Sequence, residues 1–138
     1  MPEHLKTLEI APVADVSGFG APQYKDYLAE RIIENFRNDH TLEITQSRGD
    51  ARLEARIVSI VESAQAVSPG ELETERRVTV NCEAEFYDNT LRKQIWKRTF
   101  TTYGTYAVAQ TQAGRNEAVR LCLEQIGADI LLAVVSGW

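Results

Sequence analysis

Apolar and polar positions alternate strictly over the middle of the chain. Val78, Val80, Cys82, Ala84 and Phe86 share one parity, and Thr79, Asn81, Glu83, Glu85 and Tyr87 share the other. A period of two predicts a strand with one face buried and one wet. Asp88-Asn89-Thr90 follows with turn chemistry, since Asp and Asn bond their own backbone and tolerate left-handed φ. A return strand from about Arg92 to Tyr103 is rich in aromatic and β-branched residues: Ile95, Trp96, Thr99, Phe100, Thr101, Thr102 and Tyr103. Thr74–Tyr106 therefore reads as one long hairpin that the remaining elements cover or extend.

Upstream, Leu5–Ile10 alternates as a short first strand stopped by Pro12, and Ser17–Pro22 is a loop with two glycines. Gln23–Asn38 carries Tyr24, Leu28, Ile32 and Phe36 at spacings of four, with charges on the opposite side: an amphipathic helix with Pro22 suited to its first turn. Leu42, Ile44 and Thr45 give a short second strand, and Arg48-Gly49-Asp50 a turn. The same tripeptide is an integrin-recognition match, a pattern common by chance. A third strand is expected from about Ala51 to Glu62, with Leu53, Ala55, Ile57, Ser59 and Val61 on one face. Its other face begins polar at Arg52, Glu54 and Arg56 and ends apolar at Val58 and Ile60. Either the strand is buried on both sides there, or Val58 and Ile60 are a surface patch for a partner.

Ser68-Pro69-Gly70-Glu71 reads as a loop before the hairpin, and Gln110–Gly114 as a polar linker after it. A final helix runs from about Asn116 to Ser136 on an apolar stripe of Ala118, Cys122, Ile126, Ile130, Ala133 and Val134, with Gly137 as its stop. Gly127 in mid-helix predicts a close approach by another element, since glycine there costs about 1 kcal/mol against alanine. The expected fold class is α+β: two helices packed on one face of a four- to five-stranded mixed sheet, in the order β-α-β-β-β-β-α, as one domain over residues 1–138.

A net charge of −5 argues against general nucleic-acid binding, which needs a basic footprint. No apolar run approaches the roughly 18 residues of a membrane-spanning helix. Met1–His4 lacks the pattern of a signal peptide, which reads as a cytosolic chain or as a mature one whose leader has been replaced. Cys82 and Cys122 are too few for a metal motif; both fall on apolar faces, as buried free thiols or as a disulfide joining sheet to helix. His4 and His40 are isolated at element boundaries, no nucleophile elbow or phosphate loop is present, and no carboxylate pair stands out as acid and base. Neither catalysis nor a cofactor is expected.

One resemblance extends along nearly the whole chain. It runs through Leu8-Glu9-Ile10-Ala11-Pro12-Val13, Tyr27–Ile32, Asp50–Ile57, Val78-Thr79-Val80 ahead of Phe86-Tyr87-Asp88, and Ile95-Trp96. Gly104-Thr105-Tyr106, Asn116-Glu117-Ala118, Ile126–Ile130 and the terminal Trp138 complete it. In this order the set resembles the LptE family, the lipoprotein subunit of the outer-membrane lipopolysaccharide translocon. The resemblance implies two helices on a small sheet and a non-enzymatic protein at the periplasmic face of the outer membrane. It further implies that the protein plugs and helps assemble an LptD-like β-barrel and binds lipopolysaccharide. The family's lipidated cysteine is absent from this sequence, so the lipid anchor is expected on residues preceding Met1. The competing readings are another envelope lipoprotein, of the curli-secretion type, and a small soluble enzyme or ligand-binding module.

Against that background, Val58, Ile60 and Tyr87 are the expected contacts with the barrel wall. Arg92, Lys93, Lys97 and Arg98 are expected to bind the anionic part of lipopolysaccharide, because guanidinium forks grip phosphates and Trp96 beside them offers a face to sugar or acyl chain. Arg76 and Arg77, at the hairpin's other end, form a separate and weaker basic candidate. The competing account of such charges is protection of an edge strand against sheet-to-sheet association.

Overall fold

The computed structural model describes every residue except Pro69, Glu71 and Gly137, and not the side chains of Val67, Ser68, Leu72 and Glu73. The loop expected through Pro69 and Glu71 and the helix stop expected at Gly137 thus lie outside the described residues. The elements are β1 (Thr7–Ile10), β2 (Ala14–Asp15), α1 (Gln23–Asp39), β3 (Glu43–Ile44), β4 (Ala51–Ser68), β5 (Leu72–Asp88), β6 (Lys93–Ala107), a 3-10 turn (Val108–Gln110) and α2 (Thr111–Ser136). The strands make one mixed sheet in the order β3-β1-β4-β5-β6, with β2 also paired to β4. Pairing is parallel among β1, β2, β3 and β4 and antiparallel along β4-β5-β6.

The expected α+β fold is present, with one more strand than the sequence pattern gave. β2 is two residues long, too short to carry a period, and forms because the chain after Pro12 runs alongside β4. The expected third strand and hairpin are both longer than their apolar alternation, since β4 continues to Ser68 and β5 begins at Leu72. Cross-strand hydrogen bonding extends them where the side chains are polar. The segment read as a linker, Gln110–Gly114, is instead the 3-10 turn's last residue and the first turn of α2.

Both helices cover the same face. α1 buries Tyr24, Leu28, Ile32 and Phe36, the stripe its spacing predicts. α2 buries Ala118, Val119, Cys122, Leu123, Ile126, Ile130, Ala133 and Val134 against Val78, Val80, Cys82, Ala84 and Phe86 of β5. The helices run side by side in one direction. Tyr24 donates to Asn116 at 2.6 Å near their starts, and Gly127 lies against Arg31 and Asn35 further along. A Cβ built on Gly127 would stand 3.5 Å from both, so the approach is close but leaves room for a methyl.

The decisive local feature is a β-bulge in β4. Ile57 pairs with Cys82 and Ser59 with Asn81, leaving Val58 as the extra residue. Inserting one residue exchanges the faces of the residues after it, here as far as the next shift at Ala64. Ala51, Leu53, Ala55 and Ile57 face the helices before the bulge, and Ile60 and Glu62 face them after it. Val61, expected inside, is 53% exposed, and Ile60, expected outside, is 9% exposed and part of the core.

Candidate functional site

Two surfaces carry the residues singled out from the sequence. The first is the end of the molecule at the β5–β6 turn. Asp88 closes β5 and is almost wholly buried. Its carboxylate accepts the Leu91 N–H at 2.9 Å and meets His4 Nε2 at 2.6 Å. Burial alone raises its pKa, but the bond from His4 and the turn N–H groups outweigh it and hold Asp88 below the ordinary carboxylate range. Asp50 does the same for the chain's start: it accepts the N–H groups of Lys6 and Thr7 at 3.0 and 3.1 Å, which lowers its pKa. Asn89 completes the junction, donating to Glu9 and to the Gly49 carbonyl, both at 2.9 Å. Gly49 is buried inside this junction, so the Arg48-Gly49-Asp50 tripeptide is a structural turn and not a displayed ligand.

The turn presents Leu91, 56% exposed, followed by Arg92 with a left-handed φ of 55° and the exposed Lys93. Arg48 reaches the turn through the Asn89 carbonyl at 3.4 Å. The four expected lipopolysaccharide ligands do not form one patch. Strand alternation puts Lys97 on the open face, where its ammonium lies 3.8 Å from Glu83. Arg98 points to the helix side, and its guanidinium carbon sits 5.2 Å from the centre of the Trp96 ring. Among the described residues Arg48, Arg92, Lys93 and Arg98 have no carboxylate within ion-pair distance. Trp96 itself belongs to an aromatic cluster with Phe86, Phe100 and, through Phe86, Trp138. The basic end is thus Arg92 and Lys93 with Arg48, which sequence spacing missed because it arrives from another loop; Arg98 lies five residues beyond Lys93, about 17 Å along β6, beside Trp96.

The second surface is the sheet face away from the helices. Of the expected barrel contacts, Val58 is exposed at 38% and Tyr87 is half-buried on this face, but Ile60 is in the core. Ile60 is therefore removed from the surface, because the bulge turns it inward. Tyr87 is also remote from Val58: it pairs with Arg52, six residues before Val58 and about 20 Å along the strand. The exposed apolar neighbours of Val58 are Val61 and Tyr103, which lie in one row across Thr79. Arg77 stacks on Tyr103 at 4.0 Å and donates to Gln65 at 2.8 Å, and Ser59, Asn81 and Thr101 form a hydrogen-bonded rung beside them. Towards the other end the face is charged, with Arg56 paired to Glu83 and Arg52 to Glu54.

Arg76, read with Arg77 as a weaker basic candidate, is on the opposite face from it and pairs with Glu62 at 3.0 Å. Glu62 also takes Arg115 at 2.5 Å and the Tyr106 hydroxyl at 3.1 Å. Hydrogen bonding to Tyr106 and the nearby Glu62 charge raise the Arg115 pKa, so this half-exposed arginine stays a cation beside Glu62. Between the helices, Tyr24, Tyr27, Asn116 and Arg120 line a groove of about 360 Å³. Arg120 fills its polar side, bonding Tyr27 at 3.1 Å and pairing with Glu117 and Glu124. Cys82 and Cys122 are buried free thiols; burial pushes them up to about 12 and about 11, respectively. Among the described residues no group of His, Cys, Asp and Glu side chains has the arrangement of a metal centre, and no helix is long and apolar enough to cross a membrane.

A family model for lipopolysaccharide-assembly proteins, LptE, matches residues 5–134. No curated protein matches the sequence. Several solved structures are similar in fold. Protein XCC0632 from Xanthomonas campestris superposes with a TM-score of 0.73 at 13% identity, over 91% of this chain and 81% of that one. The rare lipoprotein B from Shewanella oneidensis gives 0.67 at 13% identity, over 94% and 95%. A minor lipoprotein from Acinetobacter baumannii gives 0.61 at 15% identity, over 94% and 91%. At these identities the likeness is one of fold.

Proposed function

The chain belongs to the lipopolysaccharide-assembly family LptE, and from that premise we propose that it is a non-enzymatic outer-membrane lipoprotein. In this reading it plugs and helps assemble an LptD-type β-barrel and binds lipopolysaccharide during delivery to the cell surface. The anchor would be carried by residues outside this sequence, and the domain would stand at the periplasmic face.

The observation that carries the ligand part is the state of the cations at the β5–β6 turn. Among the described residues Arg92 and Lys93 at the turn, and Arg98 further along β6, have no carboxylate within ion-pair distance, in a protein of net charge −5. The carboxylates at the turn are already engaged: Asp50 and Asp88 accept from N–H groups and meet His4, and Glu9 accepts from Asn89. The local field at this end is therefore unlike the net charge. Arg98 over Trp96 pairs a phosphate donor with an apolar face, and Leu91 offers a second exposed apolar side chain at the turn. Lys97, held by Glu83, contributes less. For the barrel, the open sheet face supplies Val58 and Val61 as apolar contacts, with Tyr87 in the charged part of the same face.

The test replaces Arg92 and Lys93 with Glu and follows lipopolysaccharide binding over a salt series. A loss of binding at low salt, with an unchanged circular dichroism spectrum, is expected, since surface charge acts most strongly there. Unchanged low-salt affinity would remove the turn from the site. Val58→Ser with Val61→Ser is expected to weaken co-purification with the barrel. Retention at the wild-type level would exclude this face.

A further inference from the structure

The sheet has two long runs of backbone that are unpaired on one side, and they are treated differently. β4 beyond Ile57 is the first, since its neighbour β2 ends at the Asp15–Ile57 pair. Its register with β5 shifts at three places, between Ile57 and Ser59, Ala64 and Ala66, and Ala66 and Val67. Bulges of this kind bend and twist an edge away from incoming strands. β6 is the second, the outermost strand of the sheet. From Trp96 to Ala107 its register with β5 is unbroken.

The charges that usually guard an edge lie only at its beginning, at Lys93, Lys97 and Arg98. Thr99–Ala107 has no charged residue and no proline. Thr99, Thr101, Tyr103 and Thr105 are exposed along it. Among the described residues this run is bonded outside its pairing with β5 only at its end, where the Ala107 N–H donates to Gln110 Oε1 at 3.0 Å and the 3-10 turn begins. A regular, uncharged, β-branched edge is a template for another strand.

We propose that Thr99–Ala107 of β6 is a pairing edge that takes up, antiparallel, the same segment of a second copy of this chain, about a two-fold axis at Tyr103. The segment is complementary to itself in that register. Thr101 faces Thr105, Phe100 faces Tyr106, Thr99 faces Ala107, and Tyr103 faces its own copy. Such β-branched and aromatic cross-strand pairs are stabilising, and no like charges meet. Moving the axis to Lys97 and Arg98 sets like charges opposite one another, which is unfavourable. The two-fold contact is closed, so it ends at a dimer and not a fibre. One strand pair is a small interface, so the dimer is weak and concentration-dependent. The inference is independent of the function proposed above.

The experiment is cross-linking of single-cysteine additions to the full chain, read on non-reducing gels after mild oxidation. Tyr103→Cys is expected to give a disulfide dimer. Thr99→Cys is not, because its two copies would stand eight residues out of register, about 27 Å apart, beyond any disulfide. Mixed Thr101→Cys and Thr105→Cys proteins are expected to cross-link with each other and poorly with themselves. The wild type, whose two thiols are buried, is expected to stay silent. Sedimentation of the wild type up to about 1 mM, the weak end of specific affinity, is expected to show a monomer–dimer equilibrium that Thr101→Lys shifts at least about tenfold towards monomer. A monomer throughout, or equal cross-linking at Thr99 and Tyr103, overturns the proposal. A dimer that ignores Thr101→Lys and leaves Tyr103→Cys reduced uses another surface and overturns it equally. Should Thr101→Lys fail to fold, the cysteine pattern decides.

Discussion

Ile60→Ser and Val61→Ser, made singly, test the bulge on which the second surface depends. In the fold Ile60 is 9% exposed among core side chains and Val61 is 53% exposed on the open face. Truncating a nearly buried isoleucine forfeits about 2–5 kcal/mol in transfer and cavity terms. The new serine hydroxyl, without a partner in an apolar surrounding, costs about 1 kcal/mol or more besides. A central value for Ile60→Ser is about 4 kcal/mol. A chain of this length has an unfolding entropy near 0.3 kcal/mol/K, so the melting temperature should fall by about 14 °C. Val61→Ser loses a half-exposed side chain and some strand preference, about 1 kcal/mol, or about 3 °C. Thermal melts followed by far-ultraviolet circular dichroism measure both. Without the bulge, unbroken alternation from Leu53 and Ile57 would carry Val61 inward and Ile60 outward, so the two effects would exchange. Equal effects, or the larger one at Val61, would refute the face switch and return Ile60 to the surface.

The glycines give opposite expectations. Gly49→Ala should destabilise by about 2 kcal/mol, because its Cβ would stand 2.7 Å from the Glu9 backbone nitrogen, which cannot rotate away. Gly127→Ala should stabilise by up to about 1 kcal/mol, since its Cβ fits at 3.5 Å and helix preference is gained; urea titrations read both. Cys82 and Cys122 should ignore a thiol reagent at pH 8 in the folded protein and give two equivalents after denaturation without reductant, because burial holds the thiols up at about 12 and about 11. A single equivalent, or none, would contradict the free-thiol assignment. Asp50 and Asp88 both sit below the usual carboxyl range in the fold, so the stability they add is complete above about pH 4 and is lost as the pH falls through their lowered values. Asp50→Asn should flatten the acid limb of a stability–pH curve, and an unchanged limb would show that the bonds from Lys6 and Thr7 to Asp50 add nothing.

Periodicity determined much of this molecule by itself. The spacing of four from Tyr24 to Phe36 and the strict alternation from Val78 to Phe86 are side-chain patterns repeated over enough residues to leave one packing solution, and they fix α1, β5 and the layering of helices on a sheet. The basic residues at the hairpin turn were equally legible, because sequence neighbours in a turn remain spatial neighbours. Tertiary structure decided the rest. One extra residue at Val58 exchanges the faces of a strand, and a residue count carries no mark of where the register slips. Strand parity separates Lys97 from Arg98 and gives one to Glu83 and the other to Trp96. Arg48 joins the turn, and His4 and Asp50 tie the chain's start to it, across tens of residues of sequence. The order β3-β1-β4-β5-β6 leaves β6 outermost, and whether a strand lies at an edge depends on which strands find each other, information that no local pattern contains.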